Sequence, residues 1–136
     1  MNNYGTLDAS YIAAGEQAGI KKLVDEFYHQ METLKQGQHI RAMHKEDLDT
    51  IKDKLSLFLM GWLGGPKEYG PKYGGISIPM AHKHLIIGEE ERDAWLFCMN
   101  EALIHQGYDD DFKQYLIEQL ARPAERIRQV SQMAHS

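Results

Sequence analysis

One cysteine and four prolines are spread over the 136 residues, and neither a long apolar run nor a basic tract occurs. Cys98 standing alone excludes an intramolecular disulfide framework. Without clustered Lys or Arg, and with a net charge of −5, the chain has no surface suited to nucleic acid, which demands concentrated positive charge. No apolar stretch reaches the ~20 residues that cross a bilayer, and Met1-Asn2-Asn3-Tyr4-Gly5 lacks the charged-then-apolar order of a leader. A cytoplasmic protein without membrane contact is the expectation. Alternating apolar and polar strand patterns, internal repeats and low-complexity tracts are also missing. With 43% hydrophobic residues, the length suits one core and one domain spanning 1–136. The core is expected over about 11–130, with frayed ends.

What is present is helical periodicity. Ile20, Leu23, Val24, Phe27, Tyr28 and Met31 recur at steps that place them on one face of a helix over about 18–34. Tyr28 therefore points inward, and a buried phenol needs a polar partner. Asp47 is a good N-cap for a second helix with Leu48, Ile51, Leu55, Phe58, Leu59 and Trp62 on its apolar stripe. Gly64-Gly65-Pro66 ends it, and a Gly/Pro-rich loop extends to Ser77. A short helix is expected from Pro79, containing His82 and closed by Gly88. Glu89, Glu90 and Glu91 favour the start of a longer helix carrying Trp95, Leu96, Met99, Ala102 and Leu103 up to Gly107. Asp109 to Asp111 open a final helical region with Phe112, Tyr115, Leu116 and Leu120 inward. Arg122-Pro123 should kink or interrupt it.

By residue type alone, His82 and His84 both qualify as metal ligands. They lie about 200° apart on a helix and cannot face one ion together. Taken singly, Tyr28 reads as a packed tyrosine, Trp95 as core mass, His44 as a solvated residue before a cap, and Cys98 as a small buried hydrophobe.

In combination these positions carry a pattern. Phe27-Tyr28, His44 in Met43-His44-Lys45-Glu46-Asp47-Leu48, Trp62-Leu63-Gly64-Gly65-Pro66, His82, and Glu91-Arg92-Asp93-Ala94-Trp95-Leu96 followed by Cys98-Met99 together resemble the group II truncated haemoglobins, from Tyr11 to about Val130. The resemblance implies an all-α, two-over-two helical sandwich around a haem, in which the Tyr28 and Leu48–Leu63 helices form one antiparallel pair and the Trp95 and Phe112 helices the other. It selects His82 as the iron ligand, because the family's ligating histidine precedes the pocket tryptophan by the same thirteen-residue step. Tyr28, His44 and Trp95 would donate hydrogen bonds to a bound diatomic ligand. Ile51, Leu55, Phe58 and Leu59 would line the distal side, and Tyr73, Met80 and Ile87 the proximal side. Many relatives have an arginine where Ala81 stands, so Lys54 or Lys83 is expected to meet a haem propionate. Ala13-Ala14-Gly15 replaces a common double glycine, which implies a less sharp bend before the Tyr28 helix. A lone cysteine cannot make a Cys-x-x-Cys-His attachment, so the haem would be b-type and non-covalent.

The implied ligands are O2, NO, CO or peroxide at a pentacoordinate or weakly hexacoordinate iron. Two uses follow from the resemblance: turnover of reactive nitrogen and oxygen species, as a nitric oxide dioxygenase or a peroxidase-like enzyme served by an unidentified reductase, or oxygen binding, storage, transport or sensing without turnover. A monomer or weak dimer is expected.

Overall fold

The computed structural model describes residues 4–44, 46–74 and 85–135. Within them lie seven helices: α1 (Ala9–Ala13), α2 (Glu16–Thr33), α3 (Lys35–Ala42), α4 (Leu48–Trp62), α5 (Tyr69–Tyr73), α6 (Glu89–His105) and α7 (Asp110–His135). The described residues form no strand, and none of their helices is long and apolar enough to cross a membrane. Helices α2 and α4 pack as one pair, α6 and α7 as the other, and α2 lies against α6 where the pairs meet. This is the two-over-two arrangement of a truncated globin.

The apolar stripe of α2 drives that packing. Ile20, Leu23, Val24, Phe27 and Met31 are fully buried beside Leu59, Met60, Met99, Leu103, Phe112, Leu116 and Leu120. Each side chain of this size contributes about 1.5–3 kcal/mol on burial. Asp47 caps α4 as its position predicts, its carboxylate accepting from the Thr50 N–H at 3.3 Å. The turn into α2 passes through two successive left-handed residues, Gly15 at φ 93° and Glu16 at φ 60°.

Several local expectations are corrected. Helix α3 occupies a segment with little apolar periodicity, and it rests on both α2 and α6. Part of the segment read as loop after Pro66 is helical, as α5. Gly88 starts α6 instead of closing a helix before it: its N–H donates to Glu91 Oε1 at 2.7 Å, and Leu85–Ile87 are non-helical. Pro123 lies inside α7 without interrupting it. A mid-helix proline costs about 3 kcal/mol, which burial of Leu116 and Leu120 before it and the contacts of Glu125 and Ser131 after it offset. The same helix continues to His135, so the C-terminal residues expected to fray are helical up to that point.

Close approach of α3 depends on Gly37. A Cβ there would stand 2.5 Å from the Met31 carbonyl oxygen, 2.7 Å from Met31 Cα and 2.8 Å from Cys98 Sγ. Backbone atoms cannot swing aside. Helix propensity alone favours alanine over glycine by about 1 kcal/mol, but overpacking costs about 1–3 kcal/mol. Gly37→Ala is therefore expected to be net destabilising, read as a lower urea midpoint with an unchanged slope.

Candidate functional site

Tyr28 is the centre of the site. It lies on the buried face of α2, retains only 4% of its surface, and its hydroxyl has no hydrogen-bond partner among the described residues. No fully enclosed side-chain polar atom there lacks a partner, so the little surface that Tyr28 keeps includes that hydroxyl. Burial pushes the phenol well above its usual pKa, with the charge of Arg41 opposing weakly. The group is therefore a neutral O–H donor.

Phe27 links Tyr28 to Trp95. Its ring centroid is 5.0 Å from each, in edge-to-face contacts at 66° and 64°. Trp95, in the second turn of α6, is half-buried, and its indole N–H also has no hydrogen-bond partner among the described residues. His44 follows α3 and stands edge-on to Tyr28, with centroids 5.7 Å apart and planes at 85°. Its Nδ1 is 2.8 Å from the Ile40 carbonyl oxygen. A carbonyl only accepts, so Nδ1 carries the proton, and Nε2 accepts in the neutral ring and donates in the charged one. The structure thus brings Tyr28, His44 and Trp95 together from three helical segments.

Helix α4 supplies a wall. Ser56, Leu59, Met60 and Leu63 are buried in the core, whereas Ile51, Leu55 and Phe58, about 120° around the helix, are half-buried. Phe58 stacks on Trp62 at 6.0 Å and 20°. Leu59, expected to line the pocket with them, is wholly buried in the core. Half-buried apolar residues and unpartnered donors are what a flat apolar group with a polar ligand at its centre would cover.

The rim is polar. Lys54 Nζ contacts both Glu46 carboxylate oxygens, at 3.0 and 2.8 Å. Lys72 Nζ and the Tyr73 hydroxyl both donate to Asp53 Oδ2, at 2.7 and 2.6 Å. Both ammonium groups also lie over the Tyr73 ring, at 5.3 and 5.5 Å. Lys54, expected to meet a propionate, is thus paired with a glutamate here. Lys72 and Asp53 were not singled out by sequence, because a contact nineteen residues apart leaves no periodic signal. Ile87 is half-buried, its N–H held by Ser131. Met80, His82, Lys83 and His84 lie outside the described residues. Among the described residues no three His, Cys, Asp or Glu side chains cluster as a cage for a bare ion. Cys98 is buried, its thiol pushed up to about 11 by burial and then by Glu101, which makes it a poor nucleophile.

Comparison with known proteins agrees with this geometry. Residues 9–129 match the family described as bacterial-like globin. A group 2 truncated hemoglobin of Bacillus subtilis is 30% identical over 122 residues, covering 90% of this chain and 89% of that protein. Among solved structures, the group II 2-on-2 hemoglobin of Agrobacterium tumefaciens superposes with a TM-score of 0.82 at 30% identity, over 93% of this chain and 97% of that one. A truncated oxygen-avid haemoglobin from Bacillus subtilis gives 0.78 at 29% identity, over 87% and 97%.

Proposed function

Because the chain belongs to the bacterial-like globins, in their group II truncated branch, we propose that it holds a b-type haem non-covalently through His82 and uses it on reactive nitrogen and oxygen species. Membership itself implies a haem cofactor and binding of small gaseous ligands such as O2. When bound, the haem supplies an iron atom with one coordination position for the ligand. Tyr28 and Trp95 offer hydrogen bonds from one side. Ile51, Leu55 and Phe58 would cover the distal face of the haem and exclude water, and Tyr73 and Ile87 would pack on the proximal one; Met80, assigned to the same face by the resemblance, lies outside the described residues.

The observation that carries this reading is the pair of unpartnered donors, the Tyr28 hydroxyl and the Trp95 indole N–H, beside a half-buried apolar wall. A polarised ligand would give both donors the partner they lack, and such a hydrogen bond is worth about 1.5–3 kcal/mol. Two or three donors holding oxygen firmly suit turnover of the held ligand better than its ready release. The resemblance to a relative described as oxygen-avid points the same way. Turnover requires an electron donor, a reductase whose identity the chain does not reveal. The oxygenated protein is expected to convert one equivalent of nitric oxide to nitrate in a single rapid turnover, and peroxide is the alternative oxidant to test on the ferric protein. Slow or absent nitrate formation would leave retention or sensing of oxygen as the function.

His44 adds a dependence on pH. Its Nδ1 is committed to the Ile40 carbonyl, so protonation changes Nε2 from acceptor to donor. An imidazole titrates near pH 6.5 when unperturbed. Oxygen dissociation is expected to slow on acidification through that range and to lose the dependence in His44→Phe. Identical profiles for the two proteins between about pH 5 and 8 would place His44 outside the mechanism.

A further inference from the structure

Leu85–Ile87 form no secondary structure, yet their backbone is held by side chains. Ser131, 1% exposed on α7, donates its hydroxyl to the Leu85 carbonyl at 2.6 Å and accepts from the Ile87 N–H at 2.8 Å. The next N–H, that of Gly88, is taken by Glu91. Ser131 is itself fixed, because this part of α7 is docked to α6 through Glu125. That carboxylate receives Arg92 Nη1 at 2.8 Å and both Nε and Nη2 of Arg128 at 2.6 Å. The docked helix pair thus grips the chain from three to five residues after His82, ending at Ile87, the residue proposed above for the proximal face.

We infer that Ser131 is a positioning residue for the proximal side of the haem: it sets the backbone path of Leu85–Ile87 and through it the seating of Ile87 against the haem. The inference rests on the haem reading above. A buried serine on an otherwise apolar helix face gains nothing over alanine in packing, and both functions of its hydroxyl, donor and acceptor, are spent on this one segment. Without it, the N–H of half-buried Ile87 and the carbonyl of half-buried Leu85 lose their protein partner and the segment must shift to find others.

The test uses the reconstituted full-length protein in its ferrous, ligand-free state. Ser131→Ala is expected to shift and broaden the iron–histidine stretching band in resonance Raman spectra and to speed haem transfer to apomyoglobin about tenfold. Ser131→Thr, which keeps the hydroxyl, should restore both. Ser131→Cys, with a weaker donor of similar size, should fall between and replaces the alanine variant if that does not fold. Tyr108→Phe removes a hydrogen bond to the Ala14 carbonyl at the other end of the helix pair, so it should lower the melting temperature and leave the band in place. A Ser131→Ala protein that melts earlier but keeps the wild-type band and transfer rate would overturn the inference. Wild-type protein without a Soret band would instead overturn the haem reading.

Discussion

Replacing His82 by alanine is expected to leave a folded protein whose Soret absorbance is at or near background, while His84→Ala keeps the wild-type spectrum. Only one of two histidines two residues apart on a helix can face a given iron, and the resemblance to the family, whose ligating histidine lies thirteen residues before the pocket tryptophan, selects the first. The apolar wall of Ile51, Leu55 and Phe58 would still attract a porphyrin in the variant, but without the axial bond and its orientation. Added imidazole should therefore recover part of the spectrum in His82→Ala, since it can fill the ligand position from solution. Hemin titration followed by absorbance checks both. Loss of the spectrum in His84→Ala, with His82→Ala unaffected, would exchange their roles.

The elements most legible in the sequence are those whose formation is local. Helix α2 runs Glu16–Thr33 against an expected 18–34, because its apolar residues recur at helical steps and few other arrangements bury them. Asp47 announces α4 for the same reason, since a carboxylate before an apolar-periodic run satisfies an otherwise orphaned N–H. Helix α3 is different. Lys35, Gln36, Gln38 and His39 carry no apolar stripe, and the helix is held by what Gly37 and Ile40 meet on its neighbours. Pro123 misleads in the opposite direction: its local penalty is real, but burial of residues on both sides exceeds it.

The candidate site divides along the same line. That Tyr28 and Trp95 are inward-facing follows from periodicity, whereas their meeting across Phe27 is a property of how α2 crosses α6. The pairing of Lys54 with Glu46 depends on the turn between α3 and α4. Ser131 gave no signal at all. A small polar residue in a helix is ordinarily solvated, and only the fold reveals that it is buried with both hydrogen-bonding functions engaged.

Tyr28 joins stability to function most directly. Tyr28→Phe removes a hydroxyl and keeps the ring that packs on Phe27 at 5.0 Å and His44 at 5.7 Å. Losing a hydrogen bond to a charged or strongly polarised acceptor costs about 1.5–3 kcal/mol, so oxygen dissociation should accelerate about tenfold to a hundredfold. Trp95→Phe removes an indole N–H and should act in the same range. The two donors share one ligand, so the double variant need not equal the product of the singles, and the deviation measures their coupling. Stopped-flow displacement of oxygen gives these rates; unchanged values in all three variants would remove both residues from ligand binding. The haem-free protein should respond with the opposite sign. Its Tyr28 hydroxyl has no hydrogen-bond partner among the described residues, so deleting it removes no contact within them and Tyr28→Phe should be as stable as wild type or more so. Faster oxygen loss together with undiminished stability would mark the hydroxyl as held for the ligand. A phenylalanine variant destabilised by about 1 kcal/mol or more would instead show that the hydroxyl has a structural partner within the fold.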